Sequence, residues 1–226
     1  MSKGPRIALI HALEESVAPA RSAFRRDWPS ANVFDLLDTS LSRDLAARGT
    51  LDDELANRFI RLADYAASST GEGGDTAAIL FTCSAFGTAI EAVKQRLHIP
   101  VLTPNEAAFE DAVRRHETIG LIVSFEPSER PLCRELADCA TKNSHNVSVV
   151  SAVAEGALEA LKRGDTAGHD NFVSCAAEKL GPVDVLLLGQ FSLARSASAL
   201  EERQSAPVLT TPASAVHKLK GLLGAL

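Results

Sequence analysis

The chain has 226 residues, 46% hydrophobic and 23% charged, with 23 Lys plus Arg against 29 Asp plus Glu, a net charge of −6. That composition supports a buried core and excludes a disordered chain, and the acidic balance without a basic block argues against a nucleic-acid surface. No apolar run is long enough to span a bilayer, and Met1–Pro5 leads into a strand without a signal-like apolar stretch, so a cytoplasmic protein with no membrane partner is expected.

Arg6 to His11 (RIALIH) reads as a first strand that delivers His11 to its carboxyl end, followed by a helical pattern from Glu14 to Trp28 that Pro29 stops. Ala31 to Leu37 is a second strand. Leu41 to Leu51 is expected to be a lid or connector, Asp52 to Ser69 a longer helix, and Gly71 to Gly74 a loop. The apolar run Ala77 to Phe81 is a buried strand ending at Thr82-Cys83-Ser84, with a helix from Gly87 to Leu97, a short strand at Val101-Leu102 and a helix from Asn105 to Arg115. The second half restarts this programme. Strands are expected at Thr118–Ser124, Val147–Val150, Val185–Gly189 and Val208–Thr210. Helices are expected at Glu129–Lys142, Ala154–Arg163, His169–Leu180, Leu193–Gln204 and from Ala213. Alternating strands and helices specify an α/β protein with mainly parallel, helix-flanked sheets.

The two halves align. ILFTCSAFG (Ile79 to Gly87) superimposes on LLLGQFSLA (Leu186 to Ala194), which sets Cys83 opposite Gln190; Pro100 and Pro207 each follow 17 residues later and open matching strands. The expectation is two pseudo-symmetric lobes, residues 1–103 plus 211–226 and residues 104–210, with Cys83 and Gln190 on opposite walls of a cleft. A thiol where a parallel strand hands over to a helix lies at the sheet edge where open α/β folds bind ligands. The following helix N-terminus is expected to favour a thiolate there, and any bound carboxylate. Cys133, Cys139 and Cys175 fall within helical patterns and have no metal-ligand spacing, so no metal site is expected.

TCSAFG (Thr82 to Gly87), IPVLTPNEAAFEDAV (Ile99 to Val113), TIGLIVS (Thr118 to Ser124), EGALEALKRGD (Glu155 to Asp165) and LLLGQFSLARS (Leu186 to Ser196) together resemble the Asp/Glu/hydantoin racemase superfamily across nearly the whole chain. The resemblance implies a cofactor-independent enzyme in which cysteines act on an acidic carbon beside a carboxylate or carbonyl of a small substrate such as an amino acid, a hydantoin or a related acid. It also implies a homo-oligomer. In the family's racemases each lobe supplies one cysteine; here Cys83 matches the first and Gln190 stands at the second. Glutamine does not exchange protons near neutral pH but can hydrogen-bond a carboxylate or an enolate. The first expectation is therefore an isomerase with Cys83 as acid-base and Gln190 as its partner. The alternatives are a single-cysteine lyase, such as a malonate-type decarboxylase, and an inactive small-acid-binding protein. His11, Ser84, Ala85, Ser124, Ser128, Phe191 and Ser192 are the candidate substrate-binding residues, and the remaining histidines, His169 among them, read as surface or cap residues.

Overall fold

The computed structural model describes residues 4–225; Met1–Lys3, on which part of the N-terminal reading falls, and Leu226 lie outside the described residues. The chain divides into two compact units, one running to Pro104 and resuming at Ala215, the other spanning Asn105–Ser214.

The first unit contains β1 (Arg6–His11), α1 (Val17–Asp27), β2 (Asn32–Leu37), α2 (Thr39–Arg48), α3 (Asp53–Ala67), β3 (Thr70–Gly71), β4 (Gly74–Phe81), α4 (Gly87–Arg96) and β5 (Val101–Leu102). Parallel pairing runs β2-β1-β4-β5, and β3 adds an antiparallel edge to β4. The edge hairpin replaces the expected loop. Gly73 and Gly74 both have left-handed backbones (φ 88° and 89°), which lets the chain reverse within two residues and lengthens β4 toward its amino end. Ile7, Leu9, Ile10, Ile79, Leu80 and Phe81 are wholly buried, as the continuous apolar runs of a two-sided sheet require.

Residues 39–48 form a packed connector. Asp38 caps α2 by accepting from the Ser40 N–H at 2.9 Å, Gly49 ends it in a left-handed conformation, and Leu41 is wholly buried against Phe59 and Phe81 in the same core. Arg58 of α3 ties this segment down through Asp38 and Asp44.

The second unit contains α5 (Glu106–Arg115), β6 (Thr118–Val123), α6 (Glu129–Lys142), β7 (Ser148–Val153), α7 (Ala157–Lys162), α8 (Thr166–Lys179), β8 (Val185–Leu188), α9 (Ala197–Glu201) and β9 (Val208–Thr210); α10 (Thr211–Leu222) follows and passes into the first unit. Its four strands are all parallel, in the order β7-β6-β8-β9. One face packs Phe109, Leu132 and Leu136, the other Val173, Leu193 and Leu200. Strand order and register repeat the first unit: Ile79 pairs with Val101 and, at the aligned position, Leu186 pairs with Val208. The expected helix from Leu193 begins instead as a 3-10 stretch, Phe191–Ser196, before α9.

Candidate active site

Two residues past the end of β4, Cys83 adopts an extended backbone (φ −127°, ψ 116°) and introduces a single 3-10 turn, Ser84–Phe86, ahead of α4. Its neighbours on both sides are fixed. Phe86 is wholly buried and stacks on Phe59 with centroids 4.3 Å apart. Thr82 extends the β1–β4 ladder by donating its N–H to the Ile10 carbonyl at 3.0 Å. Its Oγ1 lies 2.8 Å from His11 Nδ1 and 2.9 Å from Ser16 Oγ.

His11 does arrive at the carboxyl end of β1, but its imidazole is wholly buried and both ring nitrogens are engaged. Nε2 lies 3.0 Å from Asp35 Oδ1, and Arg21 Nε donates to Asp35 Oδ2 at 2.7 Å. Burial of Asp35 raises its carboxyl, yet the hydrogen bonds from His11 and Arg21 outweigh this and hold it below the ordinary carboxylate value. An ionised Asp35 accepts a hydrogen bond from His11 Nε2. Ser16 Oγ donates to the Leu13 carbonyl at 2.7 Å, and the Thr82 hydroxyl also reaches the Ile10 carbonyl at 3.3 Å. The order Arg21–Asp35–His11–Thr82 is a polar spine behind the thiol. Its one advance signal was an aspartate among the apolar residues Val33 to Leu37 of β2.

Of the thiol and thiolate forms considered for Cys83, its surroundings favour the thiol. Cys83 keeps part of its surface accessible, yet burial pushes its thiol from 9.0 up to about 11, and the Ala85 N–H, which bonds the sulfur and pulls the other way, does not compensate. α4 begins at Gly87, where the sequence reading put it, and the 3-10 turn Ser84–Phe86 stands between it and Cys83.

The second unit builds a parallel arrangement with different chemistry. Two residues past β8, Gln190 is extended (φ −141°, ψ 146°) and introduces the 3-10 stretch. Gly189 precedes it in a tight spot: a Cβ there would stand 2.8 Å from Leu121 Cδ1 and 3.3 Å from the Ile122 carbonyl oxygen. Gln190 Oε1 accepts from the Ser124 N–H at 2.7 Å and from the Ser124 hydroxyl at 2.8 Å. A backbone N–H only donates, so it identifies the facing amide atom as oxygen and leaves Nε2 at the other end. Among the described residues no hydrogen bond uses that Nε2.

The other candidates separate by chemistry. Ser124 spends its hydroxyl on Gln190, and the Ala85 N–H is spent on the Cys83 sulfur. Phe191 is only 2% exposed, so its ring belongs to the core. Ser84, Ser128 and Ser192 are half-buried, and among the described residues their hydroxyls make no hydrogen bond. His169, read as a surface or cap residue, is instead wholly buried: its Nδ1 lies 3.0 Å from Asp170 Oδ1 and 3.2 Å from Ser196 Oγ, at the far end of the stretch that Gln190 introduces. Cys133 and Cys139 sit on α6 and Cys175 on α8, all as free thiols. Among the described residues no group of three or more His, Cys, Asp or Glu side chains could hold a metal ion, and no helix is long and apolar enough to cross a membrane.

Helix-flanked parallel sheets, repeated within one chain and carrying a half-buried thiol at one strand end and an oriented amide at its counterpart, define a duplicated α/β protein. The chain belongs to the Asp/Glu/hydantoin racemase family, whose sequence profile matches residues 8–219. No curated protein matches it in sequence. Among solved structures it resembles a glutamate racemase isoform from Bacillus anthracis (TM-score 0.73, 16% identity, 98% of this chain and 82% of that one). It also resembles allantoin racemase from Pseudomonas fluorescens (0.70, 16%, 97% and 91%). A third is a double mutant of arylmalonate decarboxylase in liganded form (0.59, 17%, 97% and 93%). At these identities the likeness is one of fold.

Proposed function

We propose that this protein is a cofactor-independent lyase that releases one carboxylate of a small malonate-type diacid as CO2, with Cys83 as the only protein group that moves a proton at the reacting carbon. The bond from that carbon to the leaving carboxylate breaks, and its electron pair passes into an enediolate. The Cys83 S–H then protonates the carbon, and the thiolate takes its next proton from water. A neutral thiol suits this role, since it must donate rather than accept in the first turnover.

The observation that carries the reading is the fixing of Gln190. Its carbonyl is occupied by Ser124, so the residue that the internal repeat pairs with Cys83 offers two N–H donors and no acid-base group. Such donors stabilise a carboxylate or an enediolate oxygen as charge develops. That one substrate meets both Cys83 and Gln190 is part of the proposal. The hydroxyls of Ser84, Ser128 and Ser192 are proposed to bind carboxylate oxygens. His11, Asp35 and Thr82 act as positioning residues for the strand end.

Racemisation of an amino acid, a hydantoin or a related acid is the second reading, favoured by the family match. It requires a second proton carrier, and His11, a histidine at the end of a parallel strand, has both ring nitrogens engaged. The test is CO2 release from a panel of substituted malonates. Wild-type protein should release CO2 and Cys83→Ala should not. Gln190→Leu, which keeps the shape and removes the donors, should lower kcat by about 10²–10³. Full activity in Cys83→Ala would overturn the proposal, and no release from any malonate alongside loss of optical activity in an amino acid or hydantoin would replace it with the second reading.

A further inference from the structure

We infer that the Arg195–Asp170–His169–Ser196 cluster is a positioning group for Gln190: it holds the far end of the 3-10 stretch that Gln190 opens, and lets go when the His169 ring takes up a second proton. The role of Gln190 toward substrate rests on the single-thiol reading above; the latch rests on geometry within the second unit. Both ends of the stretch are tied. At its start Ser124 holds the Gln190 side-chain carbonyl, and the Leu193 N–H donates to the Gln190 main-chain carbonyl at 3.1 Å. At its end the Ser196 hydroxyl donates to Asp170 Oδ1 at 2.6 Å, and Arg195 Nη2 lies 3.3 Å from Asp170 Oδ2. His169 Nδ1 reaches the same Asp170 Oδ1 at 3.0 Å. Phe191, Leu193 and Ser196 are buried, so the short stretch is packed along its length and passes a displacement at Ser196 toward Gln190.

The first unit assembles the same kinds of side chain from other elements: Arg21, Asp35, His11 and the Thr82 hydroxyl. There both ring nitrogens have partners. His169 differs at one atom. Its ring is wholly buried, and among the described residues its Nε2 has no hydrogen-bond partner. A hydrogen on Nδ1 has Asp170 to receive it; a second, on Nε2, has no acceptor. Burial outweighs the hydrogen bond and charge of Asp170, and Arg195 acts with it, so the imidazolium forms only below the ordinary value of 6.5. The remaining charged groups on the elements packed against α8 point to water: Glu159 and Lys162 on α7 and Glu201 on α9 are exposed, as are Glu178 and Lys179 on α8 itself. β6 and β7 carry none. The latch is therefore closed above 6.5 and opens as pH falls through the lowered value.

The test reads the latch without turnover. The intact nitrogen-15-labelled protein, its side-chain resonances assigned in the wild type, is titrated by NMR from pH 8 to pH 5. His169 should titrate below 6.5, and the Gln190 side-chain amide and the Phe191–Ser196 backbone signals should shift with the same midpoint. In His169→Asn, whose amide replaces the Nδ1 donor and does not titrate, those shifts should vanish. Arg195→Gln, which removes a cation beside the ring, should move the midpoint up. A wild-type midpoint at or above 6.5, or a Gln190 amide unmoved as His169 titrates, would overturn the inference without any variant; so would an acid shift retained in His169→Asn. In turnover of a malonate, kcat should fall about tenfold per pH unit below the His169 midpoint with KM changed little, and His169→Asn should lack that limb. CO2 release with the same acid limb in both proteins would overturn the latch and leave the lyase reading standing. No CO2 release from any malonate, with the Gln190 signals still coupled to His169, would do the reverse.

Discussion

At the scale of single residues, the chemistry turns on protons that are held and atoms that are already spent. Cys83 holds its proton because burial disfavours the thiolate more than one amide N–H favours it. Its value is raised on folding, so the associated stability is fully present below the ordinary thiol value of 9.0 and is lost as pH rises through about 11. Iodoacetamide should accordingly modify the exposed Cys175 well before Cys83 at pH 8, with Cys83 labelling accelerating only as pH approaches 11. Peptide mass spectrometry of a pH series reads this directly, and fast labelling of Cys83 at pH 7 would contradict it. Gln190 offers a complementary test. Ser124→Ala removes one of the two bonds that orient the amide and leaves the N–H of residue 124 in place, so kcat should fall less than in Gln190→Leu, with KM changed little. The sequence made Cys83 and Gln190 legible because the strand-turn pattern repeats around them. It did not show that Gln190 is locked by Ser124, since that contact joins two strand ends 66 residues apart.

Elements explain why these side chains sit where they do. The Cys83 turn is pinned on its helix side by Phe86 on Phe59 and on its strand side by the spine from Arg21 to Thr82. Phe86→Ala should cost about 3–5 kcal/mol, and Leu41→Ala, which empties a wholly buried site beneath α2, about 2–5 kcal/mol, both measurable by urea denaturation. For Asp35 the folded value is lowered, so its contribution is fully present above the ordinary carboxylate value of 3.8 and is lost as pH falls through the lowered one. Asp35→Asn should destabilise the protein by about 1–3 kcal/mol at neutral pH and flatten the acid limb of the stability curve. An acid limb identical to wild type would show that the pair contributes nothing on folding. Most strands and helices were readable from apolar periodicity, because a buried parallel strand and an amphipathic helix leave different patterns. The β3–β4 hairpin and the 3-10 entry to α9 were not. The first is encoded only in Gly73 and Gly74, and the second in a run whose helical propensity does not distinguish the two geometries. His169 was misread for a related reason: its burial is set by packing of α8 against the stretch ending at Ser196, which no local pattern records.

For the molecule as a whole, duplication is the organising fact. Both units repeat the order and register of four parallel strands, and Cys83 and Gln190 each stand two positions past the end of the matching strand, β4 or β8. The family and the fold could be read from the sequence because the repeat preserves spacing, while the reaction could not, because it hangs on a substitution whose meaning depends on where an amide oxygen points. The central claim is that one thiol, and not a pair of exchanging groups, handles the proton at carbon. The most direct measurement is turnover in D2O, followed by NMR and chiral analysis, of pooled amino acids, hydantoins and substituted malonates with wild-type and Cys83→Ser proteins. The account predicts deuterium only in acids that have lost CO2, in a single configuration, and none with Cys83→Ser. Deuterium entering the α-position of an unreacted amino acid or hydantoin with inversion of configuration would contradict it.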